Sequence, residues 1–233
     1  MGESCHNRRV ITVHHLDHSR SQRVLWMLEE LEVPYEIVTY QRDPKTMLAP
    51  ASLTKVHPLG KSPVVVDGDK VLAESGAILE YLVETYGQGK LVPTKGTQAY
   101  LDYRYFMHYA EGSLMPYLLL SLIFSKVRSA PAPFFVKPIM KKISSTLMDM
   151  IVNPNMKRHL AFLGQHLEKN LWFAGDELTA ADIQMSYAVD ALVSRAAQLG
   201  LSPKIVALAQ RMHARPAYQR AIAKGGPVIP EMD

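Results

Sequence analysis

The hydrophobic rhythm of the chain changes near residue 87. Before that point short β-branched runs alternate with helical patterns; after it nearly every apolar position falls at helical spacing. Val10 to His14 reads as a strand. From Ser19 to Leu31 the apolar residues Val24, Leu25, Leu28 and Leu31 recur three and four apart and predict a helix. Tyr35 to Tyr40 alternates as a second strand would. After a polar stretch, Pro63-Val64-Val65-Val66, the Asp67-Gly68-Asp69 turn and Val71-Leu72 predict a hairpin. Ser75 to Tyr86 is helical through Ile78, Leu79 and Leu82. The order β-α-β-loop-β-β-α predicts a small mixed sheet covered by helices, an α/β domain.

The stretch Gly87 to Gly96 is rich in Gly and Pro and reads as a linker. Beyond it, a long helix is expected from Thr97 to about Phe124, bent near Gly112 and Pro116. Further helices are expected over 134–150, 155–170, 180–199 and 203–213. The organisation expected is an α/β domain over 9–86, a linker over 87–96, an all-α domain over 97–223 and a mobile tail over 224–233.

Composition narrows the class of protein. Hydrophobic residues make up 48% and charged residues 21%, as in ordinary globular chains. The net charge of +4 is mild, and the basic residues do not form the single stripe a nucleic-acid binder uses, so no nucleic-acid partner is expected. The densest basic group, Lys137, Lys141 and Lys142, reads as a solvated helix face, with membrane-surface contact a distant second. Leu114 to Phe124 is too short to cross a bilayer and contains Pro116, and the first twenty residues lack an apolar run of signal-peptide length. Cys5 has no second cysteine to pair with, which suits a reducing compartment. A soluble cytoplasmic protein with no membrane partner is the expectation.

Three short segments could carry chemistry. The turn His15-Leu16-Asp17-His18-Ser19-Arg20-Ser21-Gln22-Arg23 leads into the first helix. A serine there caps the helix. The same hydroxyl, beside the unpaired N–H groups and partial positive charge of a helix N-terminus, can also stabilise a bound thiolate. Gly60-Lys61-Ser62-Pro63 runs directly into a strand, and a cis Ser62–Pro63 bond would turn the Ser62 backbone toward a peptide ligand. Glu74-Ser75 opens the next helix: Ser75 caps it, and the pair can also hold a carboxylate and an ammonium together. His14, His15 and His18 look like a metal cluster, but neighbouring strand residues face opposite sides, so no metal site is expected. No Cys-x-x-Cys is present for disulfide exchange. In the second half, Thr179 and Asp182 fit a capping box with Leu178 and Ile183 as its hydrophobic staple, a structural role.

In order and spacing these segments resemble the glutathione transferases. The carriers are the Ser-containing turn, Gly60-Lys61-Ser62-Pro63, Glu74-Ser75-Gly76-Ala77-Ile78, and Trp172-Phe173-Ala174-Gly175-Asp176-Glu177-Leu178-Thr179-Ala180-Ala181-Asp182-Ile183. Tyr109 to Pro116 points to the bacterial and fungal branch with serine-type sites. The resemblance spans roughly residues 9 to 223. It implies a thioredoxin-like N-terminal domain that binds glutathione and an all-helical C-terminal domain. It also implies no cofactor beyond glutathione as co-substrate, a hydrophobic electrophile as second substrate, and a homodimer active in detoxification. Ser19 would activate the thiol, with Ser21 the competing candidate and His18 a contributor. Lys61 would meet the glycine end, and Ser62, followed by Pro63, would pair its backbone with the cysteinyl unit. Glu74 and Ser75 would hold the γ-glutamyl end, and Arg23 would be structural. An electrophile pocket between the domains would draw on Tyr105, Tyr109 and Tyr117 of the long helix and on Phe134 and Phe135 beyond it. The same thiolate could reduce organic hydroperoxides. The rivals are a glutathione-dependent isomerase or dehalogenase and a non-catalytic binding or regulatory protein that keeps the fold.

Overall fold

The computed structural model describes residues 10–195 and 199–229. Cys5, residues 196–198 within the expected helix over 180–199, and the end of the tail lie outside them. The chain divides into two compact units. One comprises the residues up to Val92 together with those from His213 onward, and the other runs from Pro93 to Met212.

In the first unit, β1 (Ile11–Leu16), α1 (Gln22–Glu30), β2 (Tyr35–Tyr40), β3 (Val64–Asp67), β4 (Lys70–Ala73) and α2 (Ser75–Tyr86) follow one another. The sheet order is β2-β1-β3-β4. β1 runs parallel to β2, with Val13 opposite Ile37, and antiparallel to β3, with Val13 opposite Val65. Val64, Val65 and Val66 then pair with β4 across the tight turn at Gly68. Alternation along β1 buries Ile11, Val13 and His15 on one face. α1 buries Val24, Leu25, Trp26, Met27 and Leu28, and Ile78, Leu79 and Leu82 of α2 join them in the core.

The last helix, α9 (Pro216–Gly225), belongs to this first unit and not to the helical one, which corrects the expected boundary at 223. Its helical periodicity gave no sign of its partner. Charge supplies the reason: Glu29 of α1 accepts from Arg220 Nε at 2.7 Å and Lys224 Nζ at 2.5 Å, while Arg215 grips Glu30 through two bonds. Trp26 meets Tyr218 edge-on at 5.1 Å. Lys224 and Gly225 are helical and Val228 is buried, so the described part of the expected tail is packed structure.

In the second unit, α3 (Gln98–Tyr109) is capped by Thr97, whose Oγ1 accepts the Tyr100 N–H. The expected bend is a π-helical turn, Ala110–Leu114, which contains Gly112. Pro116 lies beyond it in the first turn of α4 (Met115–Ser129), where its missing N–H costs no bond. α5 (Lys137–Leu147) and α6 (Asn153–Lys169) are joined by a second π-helical turn, Met148–Val152, where one helix and a break were expected. α7 (Ala180–Arg195) and α8 (Pro203–His213) follow. Phe106, Leu160, Leu163, Phe173, Ile183 and Met185 are fully or almost fully buried in this unit.

Asp182 reaches back as the capping-box reading requires, accepting the Thr179 N–H at 2.8 Å. It does more than cap. Its other oxygen accepts the Phe173 N–H at 2.7 Å, and Thr179 Oγ1 donates to the carboxylate instead of capping the helix. Burial pushes the Asp182 carboxyl up to about 6, against the downward pull of these hydrogen bonds.

Candidate active site

The turn after β1 is organised by side chains. His18 takes a positive φ of 46°, which reverses the chain so that Ser19 and Ser21 point back into the unit. Ser19 Oγ accepts the Ser21 N–H at 3.2 Å and lies 2.7 Å from Ser21 Oγ. Ser21 Oγ lies 2.8 Å from His15 Nδ1, and His15 Nε2 lies 2.8 Å from the carbonyl oxygen of Gly225 in α9. Ser19, Ser21 and His15 are all buried.

Chemistry fixes the direction of these bonds. A carbonyl only accepts, so His15 carries its proton on Nε2. Burial, the largest influence, lowers the His15 pKa and keeps the ring neutral; its Nδ1 is then an acceptor. Ser21 Oγ–H therefore donates to His15, with the Leu16 carbonyl at 3.2 Å as a longer alternative acceptor. Ser19 Oγ–H in turn donates to Ser21 Oγ. The result is a directed chain, Ser19 to Ser21 to His15 to Gly225, that begins at the turn leading into α1.

His14, next in the strand, faces the other way and meets the Tyr40 hydroxyl at 2.9 Å, so the two histidines share no centre. His18 Nδ1 is buried without a hydrogen-bond partner and does not join the serine chain.

A second cluster forms where the β3 approach meets the start of α2. The Ser62–Pro63 peptide is cis. Ser62 Oγ accepts the Leu16 N–H at 3.1 Å and donates to the His14 carbonyl at 2.8 Å, which laces this turn to the end of β1. Glu74 adopts φ 70°, ψ 119°, a conformation that L residues rarely hold unless their surroundings enforce it. Ser75 is buried and accepts a 3.1 Å bond from Arg23 Nη1, which brings a buried guanidinium beside the N-terminus of α2. A cavity of about 130 Å³ is lined by Lys61, Ser62, Pro63, Glu74 and Ser75 together with Arg20, His57, Leu59 and Ala73. Its lining combines the cations of Arg20 and Lys61 with the carboxylate of Glu74 and the open N-terminus of α2, behind which Arg23 bonds Ser75, so it suits a ligand carrying carboxylates and an ammonium.

Five of the residues singled out in the sequence thus converge on one cavity, and Ser19 lies in the separate serine chain. Arg20, His57 and His15 were not among the candidates. Arg20 had a signal, since it lies between the two serines at a helix start. His57 had none. His15 read as part of the turn because the strand extends two residues further than its β-branched run.

In the second unit Tyr105 stacks on Tyr109 at 5.4 Å, and the Tyr109 hydroxyl meets His159 Nδ1 at 2.5 Å. Tyr117 lies 5.3 Å from the same imidazole. Tyr109 is buried and its hydroxyl is pushed up by desolvation, whereas Tyr105 is half exposed. The three tyrosines form one aromatic wall around His159 at the π-helical turn.

Residues 9–84 match the family model of the glutathione S-transferase N-terminal domain, and residues 129–224 match a glutathione S-transferase C-terminal domain. Glutathione S-transferase 3 of Schizosaccharomyces pombe is 40% identical over 77% of this chain and 73% of its own length. Glutathione S-transferase 1 of Saccharomyces cerevisiae is 34% identical, covering 80% and 82%. A crystal structure of a glutathione S-transferase from Actinobacillus pleuropneumoniae superposes with a TM-score of 0.75 at 30% identity, over 93% of each chain. The chain belongs to the glutathione S-transferase family. Its sheet and helices are those of the thioredoxin-like domain and helical partner that the sequence resemblance implied.

Proposed function

We propose that the chain is a glutathione transferase in which Ser19 activates the thiol and His15, through Ser21, receives the proton. The buried Ser19–Ser21–His15–Gly225 chain carries this reading. The bound S–H donates to the outward lone pair of Ser19 Oγ. One proton then shifts along each hydrogen bond: from sulfur to Ser19, from Ser19 to Ser21, from Ser21 to His15 Nδ1. The products are a thiolate, a Ser19 hydroxyl that now donates to it, and an imidazolium whose Nε2–H remains on Gly225; the new negative charge on sulfur offsets the burial that keeps His15 neutral in the free protein.

The rest of the tripeptide fits the neighbouring cavity. Lys61 takes the glycine carboxylate and the Ser62 backbone pairs with the cysteinyl unit. Ser75, with Arg23 behind it, takes the γ-glutamyl carboxylate, and Glu74 takes the ammonium. The thiolate attacks a hydrophobic electrophile, for which the wall of Tyr105, Tyr109 and Tyr117 is the candidate surface. Reduction of organic hydroperoxides by the same thiolate, a homodimeric assembly, a detoxifying role and a cytoplasmic location complete the reading.

The test is the pKa of the bound thiol, titrated by thiolate ultraviolet absorbance from pH 5 to 9. It should fall from about 8.5 toward neutrality. Calorimetry in buffers of different ionisation enthalpy should show little net proton release while His15 holds the proton. A hydrogen bond to a charged group contributes about 1.5–3 kcal/mol, so Ser19→Ala should raise the bound pKa by about 1–2 units. An unchanged value in Ser19→Ala with loss in Ser21→Ala would transfer the role to Ser21. Absence of glutathione binding at any pH would leave a non-catalytic member of the fold.

A further inference from the structure

The hairpin of α4 and α5 sets serines along part of its seam. Its seam holds a cavity of about 330 Å³ lined by Ser121 and Ser125 from α4 and Ser144 and Ser145 from α5. Ser144 is buried and donates to the Phe124 carbonyl at 2.8 Å, which clamps the two helices. Several apolar residues face outward, although Leu118 of α4 is buried. Ile139 and Ile143, four apart and so on one face of α5, are 59% and 52% exposed. At the tip, Phe134 and Phe135 stand at right angles to each other, 85% and 64% exposed. Exposed apolar side chains grouped in this way mark a surface that meets something else.

Charge identifies what it meets. Between Gly112 and Arg158 the sole acidic residue is Asp149, against Lys126, Arg128, Lys137, Lys141, Lys142, Lys157 and Arg158. Asp149 is engaged by Asn153 at 2.9 Å. Lys137, Lys141 and Lys142 surround the isoleucine face and are exposed. A second copy meeting this face with the same face about a two-fold axis would set lysine against lysine, and docking of a copy through any other surface is an outcome of the test below. Single-stranded nucleic acid would use the phenylalanines for stacking, but it gives no hydrocarbon to Ile139 and Ile143. An anionic bilayer satisfies both features, with headgroups for the lysines and acyl chains for the aromatic and aliphatic side chains.

We propose that the Phe134–Phe135 tip and the Ile139/Ile143 face of α5 dock the protein peripherally on an anionic lipid surface. No helix among the described residues is long and apolar enough to cross a membrane, so the contact is interfacial. The sequence reading of Lys137, Lys141 and Lys142 as a solvated face gives way to its second alternative, membrane-surface contact, and the expectation of no membrane partner changes with it. Docking is independent of thiol chemistry and stands or falls separately from it.

The test is flotation of the full chain with phosphatidylcholine vesicles, alone or with about one third phosphatidylserine. Flotation is expected with the anionic vesicles only. It should fall at least about tenfold in Phe134→Ser/Phe135→Ser, and it should vanish near 1 M salt, where the Debye length is about 3 Å. Far-UV circular dichroism melts check that the variant is folded. Failure of the wild type to float with anionic vesicles overturns the proposal. So does unchanged flotation of the double variant, or tighter binding to a single-stranded oligonucleotide than to vesicles. A halved particle mass for the variant in light scattering also overturns it and makes this face an interface between copies.

Discussion

Replacing Asp182 by Ala removes the group on which the Phe173 and Thr179 N–H bonds converge, inside a fully buried site. Each stranded buried donor costs about 1–3 kcal/mol, for a loss of about 2–6 kcal/mol. Some of this is offset, because ionised Asp182 is itself disfavoured in the fold. Its pKa is pushed from 3.8 up to about 6, and that difference corresponds to about 3 kcal/mol above both values. Set against that offset, the net loss at pH 7 should be at most about 3 kcal/mol. The pH dependence is the sharper test. A carboxyl with a raised folded pKa binds its proton more tightly in the fold, so its contribution to stability is greatest at low pH. That contribution declines as pH rises from 3.8 through about 6. Linkage then makes the deficit of Asp182→Ala about 1.3 kcal/mol larger at pH 5 than at pH 7. Urea unfolding followed by fluorescence of Trp172, next to Phe173, would measure it. A deficit below about 0.5 kcal/mol at both pH values, within the range of ordinary surface changes, would refute the account. A deficit that grows from pH 5 to pH 7 would refute it equally.

His15→Gln keeps a side chain able to hydrogen-bond Ser21 but unable to take its proton. The bound thiol pKa should rise by about one unit with glutathione affinity at low pH unchanged, read by thiolate absorbance. Glu29→Gln should destabilise the fold by about 1–2 kcal/mol, since its partners Arg220 and Lys224 are half exposed and screened. Burial pushes the Glu29 carboxyl up, but bonds from Lys224, Arg220 and Tyr35 outweigh it and hold the pKa below the ordinary value. Its contribution is thus present above the unfolded pKa and lost as pH falls through the folded one, which acid titration of wild type and variant would show. Gly225→Ala places a methyl against Gln22 and Leu25 and within 3.1 Å of the His15 ring. It should cost about 1–3 kcal/mol in thermal unfolding and raise the bound thiol pKa as His15 loses its anchor.

What the sequence revealed, it revealed through local rules. Val64-Val65-Val66 before Asp67-Gly68-Asp69 leaves little choice but a hairpin, and Thr179 with Asp182 states a helix start. Lys61, Ser62, Pro63, Glu74 and Ser75 were found because each lies at the edge of an element, where a backbone group is free to meet a ligand. The contributions that stayed hidden depend on distant partners. His15 looks like any strand histidine until Gly225, 210 residues away, supplies an acceptor for Nε2. The home of α9 follows from glutamates in α1 that no periodicity in residues 216–225 encodes. The apolar exterior of α5 was concealed for a related reason. Its amphipathic spacing says that one face is apolar, but not that Ser144 would win the seam with α4.

The placement of α9 bears on how the protein is made. Residues 213–225 are synthesised after the whole of the unit that spans Pro93 to Met212, yet they complete the unit that the ribosome delivers first. A nascent chain that has cleared the tunnel as far as residue 92 holds the sheet, α1 and α2, but its Glu29 and Glu30 face solvent and the Nε2 of His15 has no carbonyl to meet. Domain-by-domain folding during translation is therefore closed to the first unit; it must wait, partly open, through the synthesis of some 120 further residues. Only the returning α9 closes it, so an incompletely translated chain carries an unfinished Ser19–Ser21–His15 hydrogen-bond chain.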